Sequence, residues 1–194
     1  MILPAFSLGV NIGVSGTAAV FHASGQENEN GEKSKEDATA VASYGSIFVE
    51  KTLGDKLAIG IDYVPATLSS ETANNDRLDK TASATAASVV NSIKVDFQDL
   101  TTYYLTFNVS DSLYLKAGAV TVDVITKESL GTGSTYGDTS MDGETFGIGY
   151  NNDFGNGAFL RLEGTYMDLG DASVTSSNAD NKVSIQGLEG ANAK

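Results

Sequence analysis

Cysteine and tryptophan are absent from the 194 residues, proline occurs twice and histidine once. Without cysteine there is no disulfide framework, no thiol nucleophile and no zinc-thiolate site. Compartment stays open, because exported proteins also do without disulfides. Basic residues are scarce, 12 against 25 acidic, giving a formal charge of −13. A phosphate backbone needs a basic face, so nucleic acid is excluded as a partner. No run of about 18 consecutive apolar residues occurs, which excludes a transmembrane helix. A closed β-barrel, the other structure that satisfies every backbone group in lipid, is not excluded.

What is present is a vocabulary of strands and turns, with 21 glycines and abundant Ser, Thr, Asn and Asp. The length fits one domain. The start, MILPAFS, is apolar but too short and too uncharged for a whole signal peptide; Met1 to Phe6 read as the remnant of a clipped leader, leaving 7–194 as the single domain.

From Phe6 to Gly25 the chain alternates. Leu8, Val10, Ile12, Val14, Ala18 and Val20 share one parity, and Ser7, Gly9, Asn11, Gly13, Ser15 and Thr17 the other. Period two is a strand with one apolar face. Leu8 to Val20 would extend about 43 Å at ~3.3 Å per residue, and a tilt of about 45° brings its height to about 30 Å, the thickness of a hydrocarbon layer. In a soluble sandwich the second face carries well-solvated charges. Here it carries small uncharged groups, which suit a cramped polar interior with the apolar face turned to lipid.

The pattern recurs in LAIGIDYV (Ile59, Ile61 and Tyr63 against Gly60 and Asp62), TTYYLTFNV (Tyr103, Leu105 and Phe107), LYLKAGA (Leu115 against Lys116), TFGIGY (Ile148 and Tyr150) and AFLRLEGTYMD (Leu160, Leu162 and Tyr166 against Arg161 and Glu163). ATAVASYGSIFVEK is read with Ile47 and Val49 outward and Glu50 inward, and VTVDVI as a parity switch after Ala119 of the kind a bulge makes. NKVSIQGLEGANAK is the weakest strand. Connections around Gly54, Asp111 and 152–157 are short and rich in turn formers. Those at 24–37, 69–92, 126–143 and 170–181 are long and polar, with charges of −3, −1, −2 and −2, so −8 of the −13 falls at one end. Long and short alternate, as in membrane barrels, where periplasmic turns are short and extracellular loops long.

These strands, four long loops opposed by three short turns, and tyrosines near strand ends resemble the small outer-membrane β-barrels of the OmpA/OmpX kind. The likeness covers nearly the whole chain and includes no catalytic motif. It implies an all-β, eight-stranded antiparallel up-and-down transmembrane barrel in the outer membrane of a Gram-negative bacterium, with outer-membrane lipids, lipopolysaccharide and the assembly machinery as partners. Family members usually finish on a strand with a terminal aromatic residue, whereas this chain stops at Lys194, so the last strand is read as truncated and complete closure as open. Any aromatic girdle must use Tyr and Phe.

Arg161, Glu163, Asp62, Lys116 and Glu50 form a candidate charged network in the lumen, either a plug or an ion-conducting constriction. Val10, Ile12, Ile59, Ile61, Leu105, Phe107, Leu115, Ile148, Leu160 and Leu162 are the candidate lipid-facing set; Tyr63, Tyr103, Tyr150 and Tyr166 are candidate interfacial aromatics. His22 with Ser24 is the one pair suggestive of acyl transfer, and nothing identifies the third group such catalysis needs. The acidic run holding Glu27, Glu29, Glu32, Glu36 and Asp37 lacks the pattern of a calcium loop and reads as solvated surface. No cofactor, metal or catalytic residue is assigned. The sequence therefore points to a structural or porin-like outer-membrane barrel with acidic outer loops and a narrow polar lumen. Two alternatives are a secreted β-sandwich for adhesion or carbohydrate binding and a lipid-modifying outer-membrane enzyme. It does not give the oligomeric state.

Overall fold

The computed structural model describes residues 9–29, 32–79, 87–129, 135–177 and 181–194, with the side chains at 27–29, 32–34, 36, 75–79, 87–89, 91 and 181 outside that description. The strands are β1 (Val10–Glu29), β2 (Glu32–Leu53), β3 (Leu57–Tyr63), β4 (Leu68–Ser69), β5 (Ala73–Asp79), β6 (Ala87–Asn108), β7 (Leu113–Ser129), β8 (Thr139–Asp153), β9 (Phe159–Leu169), β10 (Ala172–Thr175) and β11 (Asn181–Ala193). Eight of them, β1-β2-β3-β6-β7-β8-β9-β11, form an antiparallel ring that closes where β11 pairs with β1. A two-sheet sandwich is thereby replaced by one sheet closed on itself. Short β4 and β5 flank β6, and β10 flanks β11, outside the ring order.

Three tight connections lie at one end, called lower here. Gly54 takes φ 75° in the β2–β3 turn, and Gly155 and Gly157 take φ 75° and 87° in the β8–β9 turn, a region that glycine enters without steric cost. At the upper end much of what reads as long polar loop continues as paired strand. β1 and β2 stay in register as far as Glu29↔Glu32, and β5 pairs with β6 from Ala73↔Ile93 to Asp79↔Ala87. Ser, Thr, Asn and Glu on both faces hid these ribbons, since period two cannot be seen without an apolar face.

β11 meets β1 from Ala18↔Ala193 upward and β9 from Gly164↔Ala193 upward. From Val10 to Thr17, β1 runs beside β2 and, among the described residues, has no strand on its other side.

The expected parity switch after Ala119 does not occur. In β7 one inward parity runs unbroken through Tyr114, Lys116, Val120, Val122 and Val124, all buried. What changes is the medium the inner face meets. Lower down it meets polar side chains, and higher up an apolar cluster of Val64, Leu100, Met141, Met167, Leu169 and Leu188. The irregularity lies instead on the neighbouring strand, where pairing steps from Gln98↔Asp123 to Thr101↔Thr121 and Asp99 takes φ 53°. Asp tolerates this left-handed bulge conformation better than most residues. The described inner face is therefore polar in its lower half and apolar through the Val64–Leu188 cluster above it.

Candidate functional site

The lower interior is built by inward positions of β2, β3, β6, β7 and β9. Glu50 is 1% exposed, and the Arg161 guanidinium reaches across from β9 to hold it with two bonds, Nη1 to Oε2 at 2.8 Å and Nη2 to Oε1 at 2.7 Å. Asn11 Nδ2 donates to the same carboxylate at 3.1 Å, and Arg161 Nε donates to Asn151 Oδ1 at 3.1 Å. Such a bidentate fork fixes geometry as well as charge. Lys116 Nζ donates to Glu163 Oε1 at 2.8 Å while the Tyr114 hydroxyl donates to Oε2 at 2.8 Å. Asp62 is paired with Lys194. Aromatic rings line the cations: Lys116 lies 4.3 Å from the Tyr104 centroid, and Arg161 lies 5.0 Å from Phe159 and 5.3 Å from Tyr114.

Three carboxylates thus meet three cations, Glu50, Asp62 and Lys116 buried and Glu163, Arg161 and Lys194 half-buried, and their charges cancel. Desolvation makes unpaired charge there prohibitive, so the pairs and their extra hydrogen bonds hold one another in place. All five residues proposed for the lumen face the interior, and the structure joins Glu50 to Arg161 and Lys116 to Glu163. Asp62 belongs with Lys194, which sequence reasoning missed because it ends the weakest strand. Tyr104 and Tyr114 were also missed as members, although their parity matches that of Thr106 and Lys116.

The glycines of the inner face have a spatial reason. Gly13 is directly opposite Phe48, Gly60 opposite Tyr104, Gly149 opposite Tyr114 and Gly190 opposite Phe21. A Cβ at Gly149 would stand 2.0 Å from Tyr114 Cζ, and one at Gly60 would stand 2.4 Å from Tyr104 Cζ. Each ring lies over the glycine facing it, in space that a Cβ there would take.

On the outer face Val10, Ile12, Ile59, Ile61, Leu105, Phe107, Leu115, Ile148, Leu160 and Leu162 are all exposed, from 43% at Leu105 to 69% at Ile12. Tyr63, Tyr103 and Tyr166 stand toward the upper end of this apolar band and Tyr150 toward the lower; the Tyr63 hydroxyl donates to Asp99 at 2.6 Å. Above the band the outward residues become acidic, with Asp123, Asp142, Glu144, Asp168 and Glu189 exposed.

His22 faces outward, its Nδ1 hydrogen-bonded to Thr39 Oγ1 at 3.2 Å, while Ser24 donates to Asp37 at 2.7 Å. The two are therefore engaged with different partners across β2. The side chains of Glu27, Glu29, Glu32 and Glu36 lie outside the described residues. Among the described residues no group of three or more His, Asp or Glu is placed to hold a metal. Higher still, Asp96 is 3% exposed and accepts from Lys127 Nζ at 2.6 Å and Ser69 Oγ at 2.5 Å. The hydrogen bond from Lys127, then that from Ser69, pulls its carboxyl down to about 2.

No family model matches the sequence, and no curated protein is similar to it at a significant level. Among solved structures it is similar to Ail, the attachment invasion locus protein of Yersinia pestis, at 11% identity over 92% of this chain and 97% of that one, with a TM-score of 0.31. The same protein in complex with the heparin analogue sucrose octasulfate matches at 10% identity over 92% and 97%, with a TM-score of 0.32. Neisserial surface protein A (NspA) matches at 13% identity over 94% and 99%, with a TM-score of 0.33. These are likenesses at low identity and low TM-score, and the assignment of an all-β, eight-stranded up-and-down barrel rests on the strand ring itself.

Proposed function

We propose that the protein is an outer-membrane β-barrel of structural type. Its interior is closed, its belt contacts outer-membrane lipid and lipopolysaccharide, and its upper sheet stands outside the cell as a display surface. Assembly into the membrane by the cell's outer-membrane assembly machinery belongs to this reading. Support for the membrane comes from the band of Ile, Leu, Val and Phe side chains, which form a continuous outward stripe on successive strands of the ring. Monomeric soluble proteins rarely expose apolar patches beyond a few hundred Å², and each Leu or Ile left in water forfeits about 1.5–3 kcal/mol of burial.

The observation that carries the closed reading is the Glu50–Arg161 bridge, which ties β2 to β9 across the lumen with two hydrogen bonds. Eight strands leave an interior that side chains nearly fill. Single-channel recording of the full chain in a planar bilayer tests it. A silent bilayer is the expected result, with conductance appearing in the Glu50→Ala/Arg161→Ala double variant. Steady ion conductance by the wild type would replace this reading with the porin-like one.

A further inference from the structure

Asparagine followed by glycine occurs twice in the sequence: at Asn30–Gly31, outside the described residues, and at Asn156–Gly157, in the tight turn between β8 and β9. The second pair has a geometry that bears on covalent chemistry. Asn156 Oδ1 accepts a hydrogen bond from the Ala158 N–H at 3.0 Å. The ring closed by this bond contains both the side-chain Cγ and the Gly157 nitrogen, so the amide carbon is folded back over the peptide that follows it. The same N–H stands where negative charge gathers when a nucleophile adds to Cγ, as the donors of an oxyanion hole do.

The other two atoms that would react are free. Among the described residues, neither the Gly157 N–H nor Asn156 Nδ2 donates to any partner. Gly157 takes φ 87°, and no heavy atom lies within 4 Å of the place its Cβ would occupy. Asn156, Gly157 and Ala158 are all exposed, so water and base reach the turn. Elsewhere the amide is engaged and its successor bulkier. Asn11 Nδ2 donates to Glu50 ahead of Ile12, Asn108 Nδ2 to the Asp55 carbonyl ahead of Val109, and Asn192 Nδ2 to Thr165 ahead of Ala193.

We propose that Asn156 is a self-modification site whose co-reactant is water. The Gly157 nitrogen gives its proton to solvent base and bonds to Cγ. The Cγ–Nδ2 bond then breaks, and the amide nitrogen takes a proton from water and leaves as ammonia. Water opens the cyclic imide that remains. Cleavage at Cγ gives aspartate, and cleavage at the former backbone carbonyl gives isoaspartate, whose main chain runs through Cγ. Either product adds a negative charge to the lower end. Isoaspartate also lengthens the main chain inside a turn closed by the bond from Phe154 N–H to the Ala158 carbonyl at 3.0 Å, so the foot of the β8–β9 hairpin loosens as the protein ages. This rests on the turn alone and is independent of whether the lumen conducts.

The test follows the full chain, folded in phosphatidylcholine vesicles and stored in heavy-oxygen water, by tryptic peptide mapping over time. The expected result is growth of isoaspartate and aspartate at position 156 with heavy oxygen incorporated, faster in mildly alkaline than in mildly acidic buffer, while Asn11, Asn108 and Asn192 stay intact. Hydrogen exchange at Phe154 is expected to be faster in the aged sample than in the fresh one. Asn156→Ser keeps an oxygen to accept from the Ala158 N–H and cannot cyclise, so its peptide should not change. Conversion confined to chain unfolded in urea overturns the proposal, because the turn would then protect the residue. Aspartate formed without isoaspartate overturns the cyclic route, and equal exchange at Phe154 before and after storage overturns the loosening.

Discussion

The lower and upper halves of the barrel are made by the same strands with the same parity, yet they have opposite polarity. On β7 the lower outward residues are Leu113, Leu115 and Ala117 and the inward ones Tyr114 and Lys116; a few residues on, the outward residues are Thr121 and Asp123 and the inward ones Val120, Val122 and Val124. β9 repeats this, with Leu162 and Tyr166 outward over Arg161 and Glu163, then Asp168 outward over Met167 and Leu169. The changeover falls at one level, since Ala119 pairs with Glu144 and Glu144 with Asp168. Alternation says only that a strand has two faces; the surrounding medium decides which face is hidden. On the membrane reading, this level is where the outer leaflet ends and water begins.

Breaking the lower interior carries the largest expected effect. Glu50→Ala leaves the half-buried Arg161 guanidinium without its partner, which costs up to about 3–5 kcal/mol. Glu50→Ala/Arg161→Ala costs less than the sum of the two single changes, because the pair is removed together. Urea titration of the protein folded in lipid vesicles measures both. Equal additivity would mean that the bridge does not act as a unit.

The contrast between outer faces comes next. Leu105→Arg puts a charge on the apolar band and is expected to cost about 2–4 kcal/mol, as lipid-facing charges near a midplane do. Asp123→Arg, on the same side of the sheet but above the changeover, should stay within about 0.5 kcal/mol, the range of ordinary surface substitutions. The same vesicle titration compares them, and equal costs would abolish the boundary. Smaller than the Leu105→Arg cost is that of Gly149→Ala, whose new methyl must displace the Tyr114 ring, for about 1–3 kcal/mol of overpacking. Tyr114→Leu in the same chain should relieve part of that cost if the ring is the obstacle.

Much of the lower half was legible in the sequence because it obeys a single rule. Gly, Asn, Ser and Thr on one parity and Ile, Leu and Val on the other identify strand and face together, and turn formers around Gly54 and Asp111 mark the hairpins. The upper half follows the ordinary soluble rule, and a reader applying the membrane rule throughout takes Val120–Val122–Val124 for a slipped register. Pairing inside the lumen was only half legible. Parity says that Glu50, Asp62, Lys116, Arg161 and Glu163 share a chamber, but which acid meets which base depends on the ring's closure and stagger. Only coordinates give those, and Lys194 entered by that route.

The smallest effect concerns the upper sheet alone. Asp96 is held at about 2 by Lys127 and Ser69, below its ordinary value of 3.8. A depressed carboxyl pKa stabilises the fold above its unfolded value and loses that contribution as pH falls through the folded one. The contacts around Asp96 should therefore be intact at pH 5 and weaken between about pH 4 and 2. Asp96 sits beside the hydrogen bond from Val95 N–H to Ser70 Oγ and that from Ser70 N–H to the Val95 carbonyl. Hydrogen exchange at Ser70 and Val95 should accelerate across that window, while amides of the lower ring, such as Ile59 and Leu105, keep their protection. Asp96→Asn removes the titrating group, so its exchange at these positions should no longer depend on pH beyond the intrinsic chemistry. If Asp96→Asn loosens in acid as the wild type does, another carboxyl is responsible, and the two halves of the barrel do not differ in acid through this residue.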